Sequence, residues 1–146
     1  MSKLKLLFLD VDGVLNSQDY IVSHRTERYP IDPQKVSLVN EIQQKTGCLI
    51  VISSLWRWSQ KSLDALRNSG IDYYGITPYG KMSGFRGQDI EYYCNQVSNR
   101  IERIAILDDD SDFYSYQKKD LFKTSFKEGL TKEIAEKVIA HLGEIK

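Results

Sequence analysis

The chain has 146 residues, the size of one domain, and its 41% hydrophobic and 27% charged residues exclude disordered and fibrous classes. Lys+Arg and Asp+Glu both total 20, so no overall field draws in nucleic acid by charge alone. No apolar stretch approaches the roughly 20 residues of a bilayer span, Asp10 and Asp12 interrupt the only leader-like run, and a soluble, cytoplasmic protein is expected.

In chain order, Leu4 to Leu9 is a continuous apolar run, the pattern of a strand buried on both faces of a parallel sheet. Asn16 to Tyr29 is irregular. Asp32-Pro33 then reads as an N-cap followed by proline at the first helical position, with Val36, Val39 and Ile42 on one face and Gly47 as terminator. Cys48 to Ile52 is a second buried strand. A helix is expected from Ser59 to Asn68, burying Leu63 and Leu66 and stopping at Gly70. Ile71 to Thr77 is a weaker strand candidate, and Pro78 to Gly87 is irregular. Ile90, Tyr93, Cys94, Val97 and Ile101 fall at helical spacing. Ile104 to Leu107 is a third buried strand, and Leu121 to Phe126 a weaker candidate. After Thr131, Ile134, Val138, Leu142 and Ile145 mark a last helix. Cys48 and Cys94, too few for a disulfide framework or a zinc site, are expected as buried free thiols. Alternating strands and helices predict one α/β domain over residues 1–146, a mainly parallel sheet with right-handed crossovers.

The residues that end the strands carry the chemistry. In an extended chain, Asp10 and Asp12 share a side while Val11 points to the core, and Gly13 permits the following turn. Two like charges held close are relieved by a hard cation with oxygen ligands. A solvated turn after an edge strand is the plain alternative, but the flanking run is too apolar for it. The second strand ends in Ser53-Ser54 and the later one in Asp108-Asp109-Asp110, with Asp112 close behind. Ligands of open α/β sheets bind beyond the carboxyl ends of the strands, so acids and hydroxyls converge there into a Mg²⁺ site with room for a phosphate.

Leu9-Asp10-Val11-Asp12-Gly13-Val14-Leu15-Asn16, Ser53-Ser54-Leu55-Trp56-Arg57, Arg86, and Leu107-Asp108-Asp109-Asp110-Ser111-Asp112 resemble, in order, the four motifs of the haloacid dehalogenase (HAD) superfamily. The wording is especially similar to small HAD phosphatase domains found with RNA-repair enzymes. The resemblance implies a HAD-like Rossmannoid three-layer fold with helices on both faces and a minimal cap or none. It implies Asp10 as nucleophile, forming an aspartyl-phosphate, and Asp12 as general acid and then base, its main-chain carbonyl also on the metal. Ser53, which directly follows the apolar run, would hold a phosphoryl oxygen; Ser54 is the alternative, with a helix N-cap as its plainer reading. Arg86 would be the motif cation, where the family often has lysine; Lys81 in the same loop is the alternative. Asp108 would ligate Mg²⁺ directly, with Asp109 or Asp112 holding its waters. Arg57 either reaches phosphate or pairs with a surface acid.

The expected activity is Mg²⁺-dependent phosphomonoester hydrolysis; the alternative is a phosphate-binding or scaffold protein that keeps the fold without turnover. About 40 residues separate Asp12 from Ser53, too few for a full cap, so the site is expected to be open to large phosphorylated substrates. Tyr20, Tyr29, Trp56, Trp58 and Tyr79, with Arg25 and Arg28, are expected near its mouth, where ordinary loop packing competes with stacking of bases from a nucleotide or polynucleotide end. His24 and His141 read as surface residues rather than ligands. No obligate protein partner and no membrane partner is expected.

Overall fold

Leu6 to Leu9 are fully buried because they sit in the central strand of the sheet, where both faces are covered and no polar side chain is tolerated. The computed structural model describes residues 3–78, 85–97 and 100–146. Its elements run β1 (Leu4–Leu9), α1 (Gln18–Ser23), α2 (Pro33–Thr46), β2 (Leu49–Ile52), α3 (Gln60–Ser69), β3 (Tyr73–Ile76), α4 (Arg86–Val97), β4 (Ile101–Asp108), β5 (Leu121–Lys123) and α5 (Lys132–Leu142). The five strands form one sheet in the order β3-β2-β1-β4-β5, every pair parallel.

Alternation along the strands divides the core in two. Leu7, Leu9, Ile50, Ile52, Ala105 and Leu107 face α2, α3 and α5, while Leu6, Phe8, Val51 and Ile106 face α4 through Ile90, with Tyr93 packed alongside. This is a three-layer α/β fold. The helix ends follow their sequence signals. Asp32 caps α2 by accepting from the Gln34 amide at 3.0 Å, Ser59 caps α3, and Thr131 caps α5. Gly47 and Gly70 close α2 and α3 in left-handed conformation. No helix among the described residues is long and apolar enough to cross a membrane.

Several expectations shift. Ile101 begins β4 rather than continuing α4, and pairs with Leu4. Its spacing imitates a helix because it buries against the same cluster as Ile90, Tyr93 and Val97. Ile145 lies beyond α5, which ends at Leu142 with Gly143 as its C-cap, and is exposed. Cys94 is only half-buried, whereas Cys48 is in the core; both are free thiols. β5 stops at Lys123, short of Phe126. The irregular stretch after Asn16 contains α1, capped by Ser17.

The connections leave β1 in two directions. The chain steps through α2 to β2 and on to β3 on one side, then crosses through α4 to β4 on the other. The carboxyl ends of β1 and β4 are therefore a switch point, where an open α/β sheet leaves a crevice.

Candidate active site

Parallel register alone places the site residues side by side. Leu9 pairs with Ile52 on one flank and with Leu107 on the other. The Asp10 amide donates to the Leu107 carbonyl, and the Ser53 amide to the Leu9 carbonyl, both at 3.0 Å. The Thr77 and Thr124 amides continue the pattern onto Ile52 and Asp108. The strand ends thus present Thr77, Ser53, Asp10, Asp108 and Thr124 in a row, all buried.

Arg86, the first residue of α4, reaches into this row. One guanidinium nitrogen, Nη1, lies 2.8 Å from Asp10 Oδ1 and 2.7 Å from Asp108 Oδ2. It is fixed from behind: the Gly87 amide donates to the Asp112 carbonyl at 3.1 Å, and Gln117 Nε2 donates to the Gly87 carbonyl at 2.8 Å. A Cβ at Gly87 would stand 2.6 Å from Gln117 Oε1 and 3.0 Å from the Phe113 backbone, so only glycine lets α4 start there. Lys81 and Tyr79 lie outside the described residues.

Asp10, Asp108 and Asp109 each offer a carboxylate oxygen within 4.8 Å of the others. Burial and the charge of Asp108 push the Asp10 carboxyl up from 3.8 to about 7, outweighing the ion pair with Arg86. Burial also raises Asp108 despite Arg86, and burial with the charge of Asp10 raises Asp109. Arg86 is held more firmly protonated: burial disfavours its charge, but the two carboxylates more than offset that. Three crowded carboxylates and no softer donor suit a hard divalent ion such as Mg²⁺. The Ser53 hydroxyl supplies an independent sign of a ligand, being a buried polar atom with no hydrogen-bond partner among the described residues.

Gly13 holds the turn after β1 at φ 81°, and a Cβ there would come 2.2 Å from Asp109 Oδ2. The turn and the close approach of Asp109 both demand glycine. Thr124 Oγ1 donates to the Gly13 carbonyl at 2.5 Å. Asp12 leaves the row and is exposed to solvent, outside the three-carboxylate group. Asn16 Nδ2 donates to its Oδ1 at 3.1 Å and Trp56 Nε1 to its Oδ2 at 3.2 Å. Asn16 also accepts from the Gly13 amide at 2.9 Å and donates to the Pro30 carbonyl at 3.0 Å, so one buried amide sets both the turn and the acid.

Sequence pattern alone gives Asn16 and Trp56 no role in positioning Asp12; the polar residue that closes the first motif is the one signal for Asn16. Asp112 contributes its carbonyl to α4 rather than a carboxylate to the acidic group. Ser54 caps the short 3-10 turn Leu55–Trp58 by accepting from the Trp56 amide at 3.1 Å.

Among the described residues, Arg57 pairs with a buried acid rather than one at the surface. Its Nη2 pairs with buried Asp89 Oδ2 on α4 at 3.0 Å, Nε donates to the Thr77 carbonyl, and Nη1 donates to the Ser53 and Ser54 carbonyls. It therefore ties the Ser53 loop to the helix that carries Arg86. Near the mouth, Tyr29 meets Trp56 edge-on and Arg28 stands over Tyr29. Tyr20 stacks on His24 and donates to the Ile31 carbonyl. Trp58 lies beside Arg57, Arg25 is exposed, and His141 contacts Asp120 and the Ile104 carbonyl.

An all-parallel α/β sheet with aspartates at the ends of β1 and β4, a serine at the end of β2 and a cation from the start of α4 defines a HAD-type domain, in a superfamily of hydrolases and phosphatases. The chain belongs to the family described as the HAD domain in Swiss Army Knife RNA repair proteins, whose family model matches residues 6–135. Comparison with curated proteins and with solved structures finds no match.

Two predictions follow from these contacts. Between about pH 4 and 7 folded Asp10 keeps a proton that the unfolded chain has lost, so metal-free stability falls as pH rises through that window. The thermal midpoint in chelator is expected to drop by several degrees from pH 5 to pH 8, at roughly 2–4 °C per kcal/mol. Mg²⁺ restores it at pH 8, and Asp10→Asn flattens the drop; an equal slope in that variant rejects the assignment. Separately, Arg57→Met strands the Asp89 carboxylate in the interior and costs about 3–5 kcal/mol in urea unfolding. Adding Asp89→Leu recovers part of that loss, whereas a single-variant loss below about 1 kcal/mol rules out the buried pair as a clamp.

Proposed function

We propose that the protein is a Mg²⁺-dependent phosphomonoester hydrolase that works through a phosphoryl group carried covalently on Asp10. The observation that carries this reading is the buried Ser53 hydroxyl beside Asp10, without a hydrogen-bond partner among the described residues, with Arg86 paired to the same aspartate. A donor without an acceptor and a fixed cation are what a phosphoryl group needs for positioning and charge neutralisation. Membership of a phosphatase superfamily supports the same conclusion.

Asp10 attacks phosphorus, and the bond from phosphorus to the ester oxygen breaks. Asp12 gives its proton to that departing oxygen. It then takes a proton from water, whose oxygen displaces the Asp10 carboxylate from phosphorus and releases inorganic phosphate. Asn16 and Trp56 hold Asp12 through one carboxylate oxygen each, which sets the direction of both transfers. Ser53 donates to a phosphoryl oxygen, and Arg86 offsets the charge shared by nucleophile and phosphate. Asp10, Asp108 and Asp109 would hold Mg²⁺, aided by the Asp12 main-chain carbonyl, and the ion supplies further neutralisation of the phosphoryl oxygens. Asp112 would act only from further out.

Exposure of Asp12 supports an open site that takes the phosphate of a large substrate. α1 and α2 are the helices described between β1 and β2, and neither is an inserted lid domain. The family's occurrence in RNA repair proteins favours a phosphorylated nucleic-acid end or nucleotide.

Purified protein with Mg²⁺ is expected to release phosphate from at least one class in a panel of 3′- and 5′-phosphorylated oligonucleotides, nucleotides, sugar phosphates and phosphopeptides. Chelator abolishes release, Asp10→Asn lowers kcat by more than about 1000-fold, and Ser53→Ala by on the order of 100-fold. Equal release by wild type and Asp10→Asn across the panel would sink the reading and leave a binding or scaffold role.

A further inference from the structure

We propose that the groove beside Asp12 seats the nucleoside attached to the scissile phosphate, so that the protein selects phosphorylated nucleosides over phosphorylated aliphatic alcohols. The proposal rests on the phosphatase reading above and specifies its leaving group. A groove of about 470 Å³ opens at Asp12 and is walled by Trp56, Tyr29, Arg28, Ile21 and Phe126, among others. That volume falls within the roughly 300–1,000 Å³ typical of small-ligand sites. If Asp12 protonates the departing oxygen, whatever that oxygen belongs to must extend into this space.

The walls identify the occupant. Trp56 is anchored by its N–H on Asp12 Oδ2 at 3.2 Å, and Tyr29 braces it edge-on, with centroids 5.4 Å apart and planes at 62°. The indole is thus oriented by its polar atom, and its half-buried ring stays partly open to the groove. Phe126, 44% exposed, also lines the groove. Its carbonyl accepts the Gln18 amide at 2.8 Å, which ties the start of α1, the helix that carries Ile21, to Phe126. The Arg28 guanidinium lies 5.7 Å from the Tyr29 ring centroid and adds a positive charge to the rim. Aromatic faces left in water around a catalytic carboxylate are matched by a flat, polarisable ring, and a nucleobase supplies one. An aliphatic alcohol offers no such face. Arg28 suits the anionic phosphodiester that follows when the nucleoside ends a strand.

The test needs binding alone. The chain contains two tryptophans, so Trp58→Phe leaves Trp56 as the single indole reporter, and Asp10→Asn stops turnover. Adenosine 3′- and 5′-phosphates and a phosphorylated oligonucleotide are titrated against glycerol phosphate and a phosphoserine peptide while Trp56 fluorescence is followed. At least one nucleoside phosphate is expected to quench saturably, with a dissociation constant about tenfold or more below that of glycerol phosphate. Tyr29→Ala and Phe126→Ala are each expected to erase most of that margin. Tighter, salt-dependent binding of the oligonucleotide that weakens in Arg28→Gln identifies a strand end; equal binding identifies a free nucleotide, and both support the groove assignment. Affinities for glycerol phosphate within twofold of the nucleoside phosphates, or a preference for the phosphopeptide, overturn it. Phosphate release by the wild type with no such margin sinks the groove but spares the hydrolase reading. Selective quenching with no release by the wild type does the reverse.

Discussion

The register of β1 against β4 puts Asp10 and Asp108 next to each other at buried strand ends, where their charges repel and neither is well solvated. A sheet optimised only for stability would place apolar or hydrogen-bonded neutral residues there. Arg86 relieves part of the repulsion, yet Asp10 still sits near 7 because burial and its neighbour dominate. The remaining unfavourable energy is a reservoir that a divalent cation would discharge. Much else at this end of the molecule exists to keep the two carboxylates and their arginine in place.

That support comes from residues away from the acids. Arg57 joins the carbonyls of Ser53, Ser54 and Thr77 to Asp89 on α4, so the β2 end and the Arg86 helix cannot shift independently. Gly87 brings the start of α4 against the Phe113 backbone. On the other flank, Thr124 holds the Gly13 carbonyl and Asn16 the Gly13 amide. A buried ion pair such as Arg57–Asp89 adds little net stability compared with a well-packed apolar pair. What the pair does in this position is fix geometry, joining the β2 end to the helix that carries Arg86.

Features governed by short-range chemistry were legible in the sequence. Buried strands announce themselves as unbroken apolar runs, and Asp32-Pro33, Gly47, Ser59, Gly70 and Thr131 mark helix ends because each satisfies or stops a local hydrogen-bond pattern. Asp10, Ser53 and Asp108 were readable for the same reason: each directly follows such a run. What depended on tertiary approach was not. Ile101 keeps helical spacing yet belongs to β4, since one apolar cluster receives both elements. Asp109 rather than Asp112 joins the acidic group because Gly13 leaves a hollow for it, a fact about two segments nearly 100 residues apart. Arg57 offered an exposed-looking cation in a motif, but its partner Asp89 lies 32 positions away.

The arginine at position 86, where relatives by resemblance often carry lysine, follows from the same geometry. Both carboxylates are served by one nitrogen, Nη1. A guanidinium is planar and spreads five N–H groups over three nitrogens, whereas an ammonium concentrates three donors at one point. An arginine can therefore hold the repelling pair with one corner and still have donors on its other nitrogens for a phosphoryl oxygen. A lysine placed between the same carboxylates would spend its point charge there. In a site whose buried acids already lean toward protonation, that division of labour draws Asp10 toward its charged form while leaving the other nitrogens of Arg86 able to donate elsewhere.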